Sequence, residues 1–284
     1  MVIILLSLIP LIGWGSGDYL ASRGTGKLNP ISLSLWMSIV GSLSMIVVGL
    51  SFGAPELTAF QLSVSFLSSI CFSSGFIIML KAFKYGPVGI VAPIANAYAL
   101  FTTLAAVLFF NVKLSTPILV GILTVVIGVS MVSYSKPKPG EFKNEKLTII
   151  LSIVALCFFG SGFLLLDRAS RQEWYQNLVI LQLTGLLVSI LFWLILQKIN
   201  RIQDLKKAVH DPLYSIAGLV GGIGLLGMTA ALERADNIAV PTAIAAASPL
   251  VTALMAYIFN DEHLTVIQRY ATVIIVGGII MLSL

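Results

Sequence analysis

Charged side chains are scarce in this sequence. Its 17 basic and 12 acidic residues make up 10% of 284 positions, whereas soluble domains average about 25%. Hydrophobic residues make up 58% of the chain. So little charge cannot cover the surface of an ordinary soluble domain, and we therefore assign the chain to the polytopic membrane proteins.

Cysteine is almost absent as well. Cys71 and Cys157 each stand alone in an apolar stretch, so neither a disulfide framework nor a metal site is indicated. No Gly-Lys-Ser/Thr sequence follows the glycine clusters, which excludes a phosphate loop. The basic residues lie in short connections between apolar stretches, where they set membrane orientation rather than bind nucleic acid. The sequence thus indicates no catalytic motif, no metal, no cofactor and no nucleic-acid partner.

Long uncharged stretches fill the rest of the chain. Eight windows between consecutive charged residues hold 20 residues or more, about the length that crosses a hydrocarbon core as a helix. The N-terminal residues and the C-terminal residues supply two more. Because helices satisfy their own backbone groups in lipid, we predict an all-α fold with ten transmembrane helices. The predicted spans are residues 2–21, 31–52, 60–83, 88–110, 115–134, 147–166, 176–197, 212–233, 238–259 and 264–283.

The chain contains an internal repeat. The Gly-Ser-Gly triplet at residues 15–17 recurs at residues 160–162, and further identities follow at a similar offset. We therefore predict two units, residues 1–135 and 147–284, joined by a linker at 136–146 that carries proline and mixed charge. Five helices per unit is an odd number. The second unit must then cross the membrane in the opposite sense, which gives an inverted repeat.

Four segments near the ends of the predicted spans carry a recognisable pattern: Trp14-Gly15-Ser16-Gly17, Ala82-Phe83-Lys84-Tyr85-Gly86-Pro87, Pro249-Leu250-Val251-Thr252-Ala253-Leu254 and Asn260-Asp261-Glu262-His263-Leu264-Thr265. Together with the two five-helix units, they resemble the EamA-type branch of the drug/metabolite transporter superfamily. The resemblance covers nearly the whole chain. It implies a central site lined by helices 1, 3, 4, 6, 8 and 9, with helices 5 and 10 at the periphery. It implies transport but no substrate, since such proteins export amino acids and metabolites, take up sugars or exchange phosphorylated compounds.

The chain departs from the family pattern at two positions. Val112 stands where the family has an acidic residue before the fifth helix, although Glu262 keeps that acid in the second unit. The proline at 249 aligns with Leu100 in the first unit. Asp18 is not a general feature of the family, so the resemblance assigns no role to it.

Asp18 is the acidic residue that lies within an apolar stretch. A carboxylate at mid-bilayer costs about 2.5–3.5 kcal/mol, so such an acid is expected to serve a function. It could exchange a proton for substrate or contact the substrate itself. Alternatively, it lies near the headgroups and pairs with Arg23 or Lys27. The aligned residue in the second unit is Phe163, so any coupling through Asp18 would be asymmetric.

Other candidate site residues surround Asp18 or lie in the fourth helix. Trp14, Ser16 and Tyr19 offer a stacking surface and hydroxyls, and Asn96 and Tyr98 follow a proline that breaks the backbone ladder. Glycines at 13, 15 and 17 and the run at 218–227 allow either close helix packing or approach of a ligand, and the run could also flex during transport.

We predict a secondary transporter of the cell membrane that moves a small organic molecule by alternating access. The first hypothesis is export of an amino acid or related metabolite, with proton coupling a further option. Sugar uptake, a membrane-embedded enzyme and a non-transporting scaffold stay open as alternatives. The expected partners are the substrate and the lipid bilayer, and the chain would be a monomer or a homodimer. Counting basic residues places both termini outside, whereas the resembled family is usually drawn with cytoplasmic termini.

Overall fold

The computed structural model describes residues 1–23, 28–56, 58–82, 85–133, 143–169, 173–196, 201–259 and 265–282. Within these ranges the chain is all-helical and has no strand, which confirms the predicted fold class. The helices are α1 (Val2–Ser22), α2 (Pro30–Phe52), α3 (Ala59–Ala82), α4 (Val88–Asn96), α5 (Tyr98–Phe110), α6 (Thr116–Ser133), α7 (Glu145–Ala169), α8 (Trp174–Leu196), α9 (Arg201–His210), α10 (Pro212–Arg234), α11 (Ala239–Ala245), α12 (Ser248–Phe259) and α13 (Val266–Met281).

Most predicted spans coincide with these helices to within a few residues. In the described ranges, seven helical stretches are long and apolar enough to cross a membrane, and three shorter apolar helices cover 94–109, 116–132 and 266–281. The count of ten spans and their inverted arrangement stay predictions. Residues 136–142 of the predicted linker lie outside the described residues, and so do Lys27 and Glu262.

The fourth and ninth spans are each broken near their middle. At the first break the N–H of Ala97 donates to the carbonyl of Ile94 (3.2 Å), and at the second the N–H of Ala247 donates to Ile244 (3.1 Å). This three-residue spacing is tighter than that of an α-helix. Broken backbone at membrane depth is tolerated where protein buries it or where it lines a cavity. The breaks therefore favour an internal site over a lipid-facing one.

Helix α9 was not predicted, because a short helix with several charges cannot be found by a search for uncharged windows. It docks on the start of α2, where the N–H of Asn29 donates to Asp204 Oδ2 (3.1 Å). Its Ala208 is fully buried with Leu33 and Tyr214. We call this end of the helical bundle the α9 end, and the opposite end, where α1 begins, the N-terminal end.

Glycines set the distance between the longest helices. Helix α1 runs along α10, α7 along α3, α2 along α8, and α6 along α13. A Cβ atom at Gly13 would lie 2.6 Å from the carbonyl oxygen of Val220 in α10. A Cβ at Gly278 would lie 2.9 Å from the backbone nitrogen of Val125. Both distances are shorter than those that Cβ atoms show in proteins, so any larger residue would push these helices apart. The two glycines therefore allow the close helix packing.

Candidate functional site

Helix α1 presents one face to the interior of the bundle. Gly13 lies against α10, and Gly15 lies against α12, where its Cβ would be 2.6 Å from the Val251 side chain. Trp14 and Asp18 are four residues apart and therefore lie on one helix face, between these two contacts. The indole Nε1 of Trp14 donates to the carbonyl of Gly221 at 3.2 Å. This bond and the aromatic contacts of Trp14 identify the face as an inward one.

Five aromatic side chains meet in front of this face, and we call them the aromatic cluster: Trp14, Phe72, Tyr98, Phe159 and Phe163. The ring of Phe163 is central. Between ring centroids, it lies 4.7 Å from Tyr98, which is stacked on it, 4.9 Å from Phe72, which meets it edge-on, and 5.8 Å from Trp14. Tyr98 also meets Phe159 at 6.3 Å. The cluster joins α1, α3, α5 and α7, so it draws on both predicted units. Aromatic faces of this kind offer apolar surface to a ligand ring.

Asp18 lies beside this cluster in an open position. Its side chain is exposed, yet it lies within electrostatic range of Tyr98, whose exposure is only 5%. Within the described part of the chain its carboxylate makes no hydrogen bond and no ion pair. An exposed carboxylate on the inward face of a helix, near a buried core residue, indicates a cleft at this point. We call the space bounded by Asp18 and the aromatic cluster the central cleft.

The sequence also allowed an ion pair near the headgroups. Arg23 makes no ion pair with Asp18, although both are described, and its charge acts instead on Tyr214 in α10. Lys27, the other expected partner, lies outside the described residues. The structure therefore does not show the expected ion pair with Arg23.

Two candidates on α1 lie away from the cleft. Tyr19 is 3% exposed and its ring lies 6.1 Å from that of Phe259 in α12. Ser16 shares the outer helix face with Leu5 and Ile12, which are each 56% exposed. In a helix with apolar residues on every side, the sequence does not show which face is inward. Ser16 and Tyr19 are thus placed outside the central cleft.

Asn96 ends α4, directly before the break in the fourth span and two residues before Tyr98. The side chain is half-buried and has an interaction partner in the structure. It therefore lies at the break itself and is close in sequence to the aromatic cluster. Trp14, Asp18, Tyr98 and Phe163 are therefore the candidates that the structure brings together.

An apolar core closes the bundle on the N-terminal side of the aromatic cluster. Its largest side chains are no more than 4% exposed: Leu166, Leu181, Met228, Leu232 and Ile238. They come from α7, α8 and α10 and from the residue before α11. Asp18, in contrast, lies one helical turn from the end of α1 that faces the α9 end. The central cleft is sealed on one side by apolar packing, and its acid lies toward the other.

Sequence reasoning missed several residues of this region. Phe72 and Phe159 lie in uniformly apolar helices, where an inward phenylalanine has the same signature as one that faces lipid. A separate small pocket lies between α2, α3 and α8, and three serine side chains line it: Ser34, Ser73 and Ser189. Isolated serines in apolar helices carry no motif, so no signal marked this pocket.

Comparison with known proteins places the chain among transporters. The model of the EamA-like transporter family matches residues 1–134 and 146–284. A Bacillus cereus protein named "Putative sugar uptake protein" is 26% identical over 99% of this chain and 98% of its own length. A Listeria monocytogenes protein of the same description is 31% identical, and that match spans 56% of each chain, little more than half. One solved crystal structure is 17% identical, covers 98% of both chains and superposes with a TM-score of 0.75.

Proposed function

This chain belongs to the EamA-like transporter family, and on that basis we propose that it is a secondary carrier of a small polyhydroxylated molecule such as a sugar. Family membership makes it a membrane transporter. The observation that carries the substrate proposal is the exposed carboxylate of Asp18 beside the aromatic cluster, which makes no hydrogen bond or ion pair within the described residues. A carboxylate accepts several hydrogen bonds from hydroxyl groups, and aromatic faces pack against the apolar face of a ring. The names of the two relatives support the same class.

Export of an amino acid or related metabolite is the second candidate. The same site favours it, because a carboxylate and aromatic faces also bind an ammonium group. The two candidates differ in ligand preference. In a thermal-shift screen, a ligand at 100 times its dissociation constant stabilises the protein by about 2.7 kcal/mol. Hexoses are expected to shift the melting temperature more than amino acids, and the reverse order would favour the exporter. If the protein were a non-transporting scaffold, neither the hexoses nor the amino acids would shift its melting temperature.

We propose that the two halves are inverted repeats that move against each other. Three observations support this arrangement. The family model matches each half separately. The hydrogen bond from Ala97 to Ile94 recurs 150 residues later, from Ala247 to Ile244. Helix α1 pairs with α10 as α7 pairs with α3, which is the exchange that a two-fold axis between the halves would produce.

In this proposal, alternating access exposes the central cleft first to one side and then to the other. The apolar core on the N-terminal side corresponds to the closed side, and the exposure of Asp18 corresponds to access from the α9 end. The cell membrane is the proposed location. By the basic-residue count, the α9 end would be cytoplasmic.

We further propose that Asp18 couples transport to protons. One exchangeable carboxylate carries at most one proton per cycle, so each pH unit across the membrane supports about tenfold accumulation of a neutral substrate. In proteoliposomes with an imposed pH gradient, Asp18→Asn should abolish this accumulation and retain exchange of labelled for unlabelled substrate. Ser16→Ala, on the outer face of the same helix, should behave like the wild type. Full gradient-driven accumulation by Asp18→Asn would refute the coupling role.

A further inference from the structure

Helix α10 carries five glycines, and four of them lie against neighbouring helices. A Cβ at Gly224 would lie 2.6 Å from Trp14 Cδ1, and a Cβ at Gly222 would lie 2.8 Å from Met45 Cγ. A Cβ at Gly218 would lie equally close to Met37 of α2, and a Cβ at Gly227 to Ile9 of α1. Helix packing alone accounts for glycine at these positions.

Gly221 is different, because a Cβ there would meet no atom within 4 Å among the residues that the structure describes. Packing therefore does not require glycine at this position. Within a helix, glycine is also less favourable than alanine, since it loses more backbone freedom on folding. The absence of a side chain at Gly221 costs helix stability without bringing a neighbour closer.

The open space at Gly221 lies inside the bundle. Helical periodicity places Gly221 on the same face as Leu225 and Met228, which pack in the core with the aromatic cluster. Leu219 and Ile223, which are exposed at 37% and 39%, lie on the opposite face. The space is therefore internal and does not face the surrounding lipid.

Gly221 is also adjacent to the inward face of α1. Its carbonyl accepts the hydrogen bond of the Trp14 indole at 3.2 Å, and its backbone nitrogen would lie 3.9 Å from a Cβ at Gly17. Asp18 follows Gly17 directly in the chain. Gly221 thus forms part of the wall of the central cleft, at the level of its carboxylate.

We infer that Gly221 is a specificity-determining position, where the missing side chain leaves room for the ring of the substrate next to Trp14 and Asp18. The inference rests on the proposed carrier function and adds a size limit to it. Each carbon atom added at this position would take space from the ligand. As the side chain at position 221 grows, transport of larger substrates should therefore weaken before transport of smaller ones.

Cysteine labelling tests the position independently of the substrate. Gly221→Cys is made in a background of Cys71→Ala and Cys157→Ala, the two free native thiols. Gly277→Cys is the matched control, because a Cβ at Gly277 also meets no atom within 4 Å but lies on the outer face of α13 with Val273 and Ile280. A water-soluble thiol reagent should label Gly221→Cys rapidly and the lipid-facing control slowly. A transported hexose should protect Gly221→Cys.

The outcomes separate this inference from the proposed function. Equal, slow labelling of both cysteines would overturn the inference, even if the wild type transports sugars. Rapid labelling that no transported substrate slows would also overturn it, because the position would then be wet but remote from the ligand. A wild-type protein that transports no sugar would instead refute the proposed substrate class.

A size series measures specificity directly. Gly221→Ala and Gly221→Leu are compared with Gly277→Ala and Gly277→Leu by counterflow of a pentose and a hexose in proteoliposomes. Gly221→Leu should raise the KM for the hexose about tenfold or more relative to the pentose, since a few added carbons in a pocket discriminate by that order. The Gly277 variants should keep the wild-type ratio. Folding is checked by thermal unfolding, and Gly221→Ala should be at least as stable as the wild type. An unchanged pentose-to-hexose ratio in a folded Gly221→Leu protein would overturn the inference.

Discussion

The Gly13→Ala substitution is expected to loosen the contact between α1 and α10. The added methyl carbon would lie 2.6 Å from the Val220 carbonyl oxygen, 2.9 Å from the Gly224 nitrogen and 3.0 Å from the Gly224 Cα. These are backbone atoms and cannot rotate away. Ordinary contact begins at 3.4 Å, so α10 must move by about 0.8 Å. The movement would also disturb the bond from Trp14 to α10.

The size of the effect follows from two opposing terms. Overpacking a tight interface costs about 1–3 kcal/mol, whereas replacing a helical glycine by alanine gains about 0.5–1 kcal/mol. The net loss in unfolding free energy should be about 0–2.5 kcal/mol relative to the wild type, and about 1–3 kcal/mol relative to a glycine-to-alanine variant without a clash. Reversible unfolding in mixed detergent micelles measures it. Gly277→Ala is the control, because it gains the same helix propensity without a neighbouring atom. If Gly13→Ala proved as stable as Gly277→Ala, the close contact described here would be refuted.

Three further outcomes are expected. Trp14→Phe keeps an aromatic ring but removes the indole N–H that donates to α10. In the same unfolding assay it should lower the unfolding free energy by about 0.5–1.5 kcal/mol, and an unchanged value would contradict that hydrogen bond. Thr102→Val removes the 3.2 Å hydroxyl contact with Thr242, whose own hydrogen bond to the Ile238 carbonyl is kept. The unfolding free energy should therefore fall by only about 0.6 kcal/mol, and a fall above about 2 kcal/mol would point to a different role for Thr102. On intact cells, an impermeant thiol reagent should label Lys113→Cys and not Lys207→Cys, and the reverse pattern would place the termini in the cytoplasm.

Sequence patterns located the helices well because the bilayer imposes a simple requirement on each of them. Uncharged windows gave the ends of α2 and α10 to within one residue, since a charged side chain rarely lies inside a span. The same reasoning missed α9, which lies in a polar connection and is held by Asp204 and Ala208. The prolines of the fourth and ninth spans indicated disrupted backbone, but the positions of the breaks depend on tertiary packing.

The candidate site was only partly predictable. Asp18 was identifiable because an acid in an apolar stretch is costly, and Trp14 was included as its neighbour. Ser16 and Tyr19 were included for the same reason and face elsewhere, because the orientation of an apolar helix is decided by its neighbours. Gly221 and Gly224 look alike in the sequence. Only the contacts show that a Cβ at Gly224 would clash with the indole of Trp14, whereas a Cβ at Gly221 would point into open space.

The central claim is that Asp18 lies in a cleft that opens alternately to the two sides of the membrane. The most direct test labels Asp18→Cys, in the background without Cys71 and Cys157, from either face of oriented membrane vesicles with an impermeant thiol reagent. The carrier account predicts that the same cysteine reacts from both faces, because the cleft opens to each of them in turn. Reaction from one face alone would contradict it and would place the acid at a fixed membrane surface.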